Sequence, residues 1–229
     1  MSKEELLKKI KGGLIVSCQA QENEPLHSDF IMSRMALAAK VGGAVAIRAN
    51  GVKDIKAIKE VVDLPIIGLI KRDYPNTERY ITPTLKEIKE LVEVGVDIVA
   101  MDATDRDQND GVSLEEKVKF LHDNGVLAMA DISTLEEGII AQVKGFDIIS
   151  TTLSGYTSYS PQIKEPDFKL VEDLTKSVSL PIVAEGRITE LNDLKKILKF
   201  NPFSVVIGGA ITRPQQITAR YVEIINSCK

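Results

Sequence analysis

Ile66-Ile67-Gly68-Leu69-Ile70-Lys71 decides the fold: five apolar or small residues run without a break and end on a charge. A strand buried on both faces reads this way, because polar alternation disappears where neither face meets water. Seven other runs share the form. Together the eight are Leu14–Cys18, Ala44–Arg48, Ile66–Ile70, Asp97–Met101, Val126–Ala130, Asp147–Thr151, Pro181–Ala184 and Ser204–Ile207. Eight amphipathic stretches alternate with them, near Asp29–Lys40, Val52–Val61, Leu85–Val94, Glu115–Asn124, Leu135–Val143, Phe168–Val178, Leu191–Leu198 and Pro214–Asn226. A short helix is expected at Lys3–Ile10, before the first strand.

The 229 residues allow about 29 per strand–helix unit, near the minimum for one. Eight such units predict an α/β fold, a (β/α)8 TIM barrel, with an open sheet of fewer strands as the rival. No linker rich in Gly, Pro or Ser divides the chain, so one domain is expected over residues 1–229. Gly95, Gly125 and Gly145 each precede a strand and are expected to close the preceding helix in the left-handed conformation.

Composition narrows the function. Hydrophobic residues make up 44% and charged residues 27%, which fits a globular chain with a real core. The formal charge is −4 without blocks of one sign, so nucleic acid is not an expected partner. The start, Met1-Ser2-Lys3-Glu4-Glu5, is charged and lacks the apolar core of a signal peptide. No apolar run approaches the ~20 residues of a membrane span. Two cysteines, Cys18 and Cys228, cannot build a disulfide framework, and a reduced, cytoplasmic protein is expected. With only His27 and His122, a zinc site built from several His and Cys ligands is not expected.

A barrel of this kind works at the C-terminal ends of its strands. Those ends read Ser17-Cys18-Gln19, Arg48, Lys71-Arg72, Asp102, Asp131, Thr151-Thr152, Glu185-Gly186-Arg187 and Gly208-Gly209. Lys71 and Glu185 end strands three and seven, opposite one another in an eight-stranded barrel. The two-residue period puts Ile67 and Leu69 under Lys71 and Val183 under Glu185, a dry floor beneath both charges. Burial lowers the pKa of a lysine and fits it for acid–base work, while a nearby carboxylate favours the ammonium. A plain buried ion pair is the other reading of these two residues. Ser17 and Gln19 should face inward and Cys18 outward.

The glycines after strands seven and eight suit phosphate, because their backbone N–H groups can approach an anion closely. Gly208-Gly209-Ala210-Ile211-Thr212 could form the short helix that such sites often use, with Arg187 or Arg213 adding charge. Tyr156 lies in a loop long enough to fold over a ligand. Asp102 and Asp131 could pair on a metal, but strand-end histidines are missing and contacts to hydroxyls are favoured. His27 and His122 read as incidental and structural.

The runs LIVSCQA (14–20), EPLHS (24–28), AIRANG (46–51), PIIGLIKRDY (65–74), ITPT (81–84), MDAT (101–104), MADIST (129–134), TTLSGYTSY (151–159), AEGRI (184–188) and VIGGAITRPQQIT (206–218) resemble bacterial N-acetylmannosamine-6-phosphate 2-epimerases. The resemblance runs from about residue 13 to the end. It implies interconversion of N-acetylmannosamine 6-phosphate and N-acetylglucosamine 6-phosphate in sialic acid and amino-sugar breakdown. It also implies no metal or nucleotide cofactor, and a homodimer. On it, Lys71 is the catalytic lysine and Glu185 works beside it. Gln19, Arg48, Asp131 and Arg213 hold the substrate, and the backbone around Gly186, Arg187, Gly208 and Gly209 holds phosphate. The stretch Asp105-Arg106-Asp107-Gln108-Asn109-Asp110 departs from the basic, proline-containing family pattern. Other readings are a metal-dependent sugar-phosphate epimerase, whose ligands are not arranged here, a Schiff-base aldolase using Lys71, and a binding protein on a retired barrel.

Overall fold

The computed structural model describes residues 2–108 and 110–229, so Asn109 of the acidic loop lies outside the described residues. Eight strands pair in parallel in chain order, and the last returns to the first to close a barrel. They are β1 (Leu14–Cys18), β2 (Ala46–Asn50), β3 (Ile66–Leu69), β4 (Ile98–Asp102), β5 (Leu127–Asp131), β6 (Ile148–Ser150), β7 (Ile182–Glu185) and β8 (Ser204–Ile207). The helices are α1 (Lys3–Ile10), α2 (Asp29–Val41), α3 (Val52–Lys59), α4 (Leu85–Val94), α5 (Leu114–Asp123), α6 (Leu135–Val143), α7 (Phe168–Ser177), α8 (Leu191–Ile197), α9 (Gly209–Thr212) and α10 (Pro214–Ser227). A 3₁₀ turn at Leu198–Phe200, not foreseen in the sequence, follows α8. The expected (β/α)8 barrel is present, with α1 ahead of its first strand.

Local chemistry starts the helices where expected. Ser2, Thr84, Ser113 and Thr134 form capping boxes with Glu5, Glu87, Glu116 and Glu137, which satisfy the first free N–H groups of α1, α4, α5 and α6. Gly95, Gly125 and Gly145 take the positive φ that their turns require.

Two apolar layers follow from the strand period. Ile15, Ala46, Ile67, Leu69, Ile98, Ala100, Met129, Val183 and Val206 fill the barrel, and Leu6 and Ile10 of α1 join them from its N-terminal end. Cys18, Ile47, Val99 and Ala128 instead pack outward with Met32, Ile55 and Leu91 of the surrounding helices. Gly68 belongs to the outer layer: a Cβ there would sit 2.6 Å from Val96 Cγ1, so only glycine lets α4 and its turn approach β3.

Six of the eight strands begin or end one or two residues away from the expected runs. β2 starts at Ala46, because Ala44 N–H still donates to Ala39 O at 3.0 Å and belongs to the exit of α2. Pairing therefore begins with Ala46 opposite Ile15, and Arg48 stands in mid-strand rather than at its end. Asp102, Asp131 and Glu185 are the last residues of their strands instead of the first beyond them. β6 ends at Ser150, which leaves Thr151 outside.

α10 is unlike the other long helices. None of its residues is buried, and Tyr221, Val222, Ile224 and Ile225 lie exposed along it. Among the described residues no helix is long and apolar enough to cross a membrane.

Candidate active site

A cavity of about 670 Å³ opens at the C-terminal end of the barrel. Gln19, Arg48, Lys71, Tyr156, Glu185 and Arg213 line it, as do Gly186, Arg187, Gly208 and Gly209. Asp131 stands behind Arg48 in the wall. The strand period explains the convergence: Ser17, Arg48, Asp131, Ser150 and Glu185 occupy inward positions one layer above the apolar filling.

An ion cluster forms the floor. Arg48, 1% exposed, donates from Nη1 to Asp131 Oδ1 at 3.2 Å and from Nη2 to Asp131 Oδ2 at 2.5 Å. Its Nη1 also lies 3.3 Å from Glu185 Oε2. Thr152 ties the two acids together, donating to Asp131 Oδ1 at 2.8 Å or to Glu185 Oε2 at 3.0 Å, and Ser150 lies 3.3 Å from the same Oε2. Burial pushes the Glu185 carboxyl upward, Arg48 pulls it back, and Asp131 adds to the rise. Burial works against the Arg48 charge too, but Asp131 and Glu185 outweigh it. Arg48 Nε and Gln19 Oε1 are buried without a partner among the described residues, one a donor and one an acceptor. Gln19 is oriented by Ser17, whose Oγ accepts from Nε2 at 2.9 Å.

Lys71 makes no direct ion pair with Glu185 among the described residues, since Arg48 is the cation beside that carboxylate. The plain ion-pair reading therefore does not describe Lys71. Burial, then Arg48 and Arg213, bring its amine down to about 8, against the opposing pull of Glu185 and Asp131. Its backbone is fixed by Asn50, whose Oδ1 accepts from Lys71 N–H at 2.8 Å. Ile67, Leu69 and Val183 form the expected dry floor.

The glycine-rich rim lies along one side of the cavity. Gly186 has φ +109° and Arg187 +57°, so the chain turns sharply after β7. Gly208 starts α9, the short helix expected there, by accepting from Ile211 and Thr212 N–H at 2.8 and 2.9 Å. The two arginines are already engaged. Arg187 donates to Glu165 O at 2.8 Å and to Ser154 O, so its guanidinium braces the loop after β6. Arg213 Nε donates to Glu24 Oε1 at 2.6 Å.

Other residues fall elsewhere. Asp102, the register partner of Asp131, is not among the lining residues; its carboxylate pairs with Arg106 and accepts from Thr104 Oγ1 at 2.6 Å. The loop after β4 docks sideways: Arg79 Nε donates to Arg106 O at 2.7 Å, and Lys117 reaches Asp110 at 3.0 Å. His122 holds Asp147 at 2.9 Å near the N-terminal end of the barrel, and His27 Nδ1 lies 3.1 Å from Ala20 O. Among the described residues no three His, Cys, Asp or Glu side chains are grouped to hold a metal. Ser150 and Thr152 received no role from the sequence, although the strand period carried them inward. Glu24, Tyr80 and Ile81 also line the cavity, and only long-range loop packing brings them there.

Comparison with known proteins gives a family and a shared fold. The family described as "Putative N-acetylmannosamine-6-phosphate epimerase" matches residues 32–227. A relative from Clostridium perfringens bearing the corresponding 2-epimerase name is 57% identical over 220 residues, covering 96% of this chain and 100% of its own. One from Clostridioides difficile is 54% identical over 220 residues, covering 96% and 99%. The solved N-acetylmannosamine-6-phosphate 2-epimerase from C. perfringens superposes with a TM-score of 0.94 at 57% identity, over 96% of both chains. A thiamine phosphate pyrophosphorylase from Pyrococcus furiosus, at 18% identity and a TM-score of 0.62 over 90% and 89%, shares the fold alone.

Proposed function

The chain belongs to the N-acetylmannosamine-6-phosphate epimerase family, and from that premise we propose that Lys71 is the acid–base group of its reaction. The protein is an isomerase that interconverts N-acetylmannosamine 6-phosphate and its C2 epimer, N-acetylglucosamine 6-phosphate; the family connects it with sialic acid and amino-sugar breakdown. The observation that carries the residue assignment is a single amine, lowered to about 8, over a dry floor in the cavity that also holds Glu185 and Arg48.

Inversion at C2 requires the ring to open, because only the open chain places an aldehyde beside the C2 proton. The neutral Lys71 amine takes that proton, and a proton returns to the opposite face. Positive charge from Arg48 or the newly formed Lys71 ammonium stabilises the enolate oxygen. Glu185, held by Arg48 and Thr152, tunes the amine and reloads it. Gln19 Oε1 and Arg48 Nε offer an unfilled acceptor and donor to the acetamide and hydroxyls, and Arg213 and Tyr156 hold the substrate at the mouth. Backbone N–H groups around Gly186, Arg187, Gly208 and Gly209 hold the phosphate, with the Arg187 side chain bracing the loop. Positioned acid–base groups of this kind contribute about 10²–10⁴-fold in rate. A coupled assay supplying N-acetylmannosamine 6-phosphate tests the reading: Lys71→Ala should lose nearly all turnover while melting cooperatively, and substantial residual activity removes Lys71 from the role.

We also propose a homodimer in the cytoplasm. The uncovered Tyr221, Val222, Ile224 and Ile225 of α10 support a second copy as their cover. The free Cys18 and Cys228 support a reducing compartment. Sedimentation should give two chains per particle, and Ile225→Glu should shift it toward one.

A further inference from the structure

β3 and β4 pair only at Ile67 opposite Ile98 and Gly68 opposite Val99. Beyond that point they part, and Tyr80-Ile81-Thr82 runs back between them. Arg72 N–H donates to Tyr80 O at 3.0 Å, Thr82 N–H to Ile70 O at 2.7 Å, and Asp102 N–H to Ile81 O at 2.9 Å. Lys71 and Ile81 thus form an antiparallel bridge. Thr82 closes the seam with its side chain as well: Oγ1 accepts from Ile70 N–H at 3.2 Å and donates to Ala100 O at 2.7 Å. One hydroxyl stands in for the backbone bond that two paired strands would share. Both backbone polar groups of Ile70, the residue before Lys71, are held by Thr82.

The conformation of Thr82 is costly. It is 1% exposed and has φ +47°. A β-branched residue in the left-handed region is strained and persists only where its surroundings enforce it. Glycine would carry this φ freely, yet it has no hydroxyl for Ile70 N–H and Ala100 O, and burying both unpaired is unfavourable. Ile81, the bridge partner of Lys71, meanwhile packs with Ile67 and Leu69 of the barrel filling and lines the cavity beside Lys71.

We propose that Thr82 is a positioning residue for Lys71: its hydroxyl wedges β3 from β4 and so aims the amine into the cavity. The proposal rests on the reading of Lys71 as the acid–base group. A displacement of about 1 Å at a reacting group can cost 10²-fold, so removing the wedge should appear in kcat. Thr82→Val, which deletes the hydroxyl at nearly constant volume, should lower kcat by roughly ten- to hundredfold with little change in KM. Thr82→Ser, which keeps the hydroxyl, should restore kcat to within about twofold of the parent. Thr82→Gly relieves the strained φ and covers the case in which the valine variant fails to fold; it should share the loss in kcat. Wild-type kcat in Thr82→Gly, equal losses in the serine and glycine variants, or an effect confined to KM or Tm would each overturn the proposal. Lys71→Ala measured alongside separates the two ideas. Turnover retained there removes the reading of Lys71, whereas an inactive Lys71→Ala beside a fully active Thr82→Gly removes the wedge alone.

Discussion

Arg48 grips Asp131 through both terminal nitrogens, at 3.2 and 2.5 Å, while its Nη1 stands 3.3 Å from Glu185. One fully buried cation therefore serves two carboxylates, and among the described residues the Lys71 amine pairs with neither of them. Arg48→Met strips both acids of that partner. Uncompensated buried charge costs about 3–5 kcal/mol, so chemical denaturation should show a loss of that order. Adding Asp131→Leu should recover a large part of it without restoring turnover. A single variant as stable as the parent would show that the cluster contributes little to the fold.

Lys71 should also set a pH dependence. Catalysis needs the free amine, so kcat/KM should rise with pH up to about 8 and then level off. The sign for stability follows from proton binding. Between about 8 in the fold and ~10.4 in the unfolded chain, the unfolded state holds a proton that the folded state has released. Stability should therefore climb with pH across this window, as the cost of the buried ammonium is relieved. Lys71→Met should lack this part of the climb. Identical slopes for parent and variant in denaturation series would place the responsible group elsewhere.

Glu24 occupies the guanidinium of Arg213 that we propose for the substrate. Its carboxyl is held below the usual range, first by the hydrogen bond from Arg213. A partly solvated pair of this kind contributes at most about 1 kcal/mol. Glu24→Gln should thus lower KM for the sugar phosphate by no more than about fivefold, with kcat little changed. An increase in KM would mean that Glu24 itself contacts substrate.

The phosphate end can be separated from the reacting end. N-acetylmannosamine without its phosphate should react far more slowly than the 6-phosphate. Gly186→Ala forces a side chain onto φ +109°, a strain of roughly 1–3 kcal/mol that re-aims the neighbouring N–H groups. The variant should lose efficiency on the phosphorylated sugar and little on the free one. Equal losses on both would detach Gly186 from phosphate.

Lys71, Glu185 and their apolar floor were legible because a two-residue period places side chains without knowledge of anything distant. Gln19 facing in and Cys18 facing out followed from the same rule. Strand ends were less legible: Arg48 sits mid-strand because β2 goes on pairing with β3 through Asn50, opposite Leu69, which the polar Arg48 and Asn50 do not announce. The partners of the charges could not be read at all. Arg187 bends to Ser154 and Arg213 to Glu24, 33 and 189 positions away, and no local pattern encodes such meetings. Thr82 carries no local signal for a similar reason, since its contacts arise where two strands separate. The uncovered face of α10 was hidden by a normal amphipathic pattern, which tells that a helix has an apolar side but not what covers it.

Proton transfer at C2 by Lys71 is read out by NMR of the sugar phosphates after turnover in heavy water, for the parent and Lys71→Ala. The lysine ammonium exchanges with solvent between turnovers. The parent should therefore place deuterium at C2 and at no other carbon, and Lys71→Ala should place essentially none. Epimer formed without deuterium at C2, or label entering C2 as fast in Lys71→Ala as in the parent, would rule out Lys71 as the group that moves the proton.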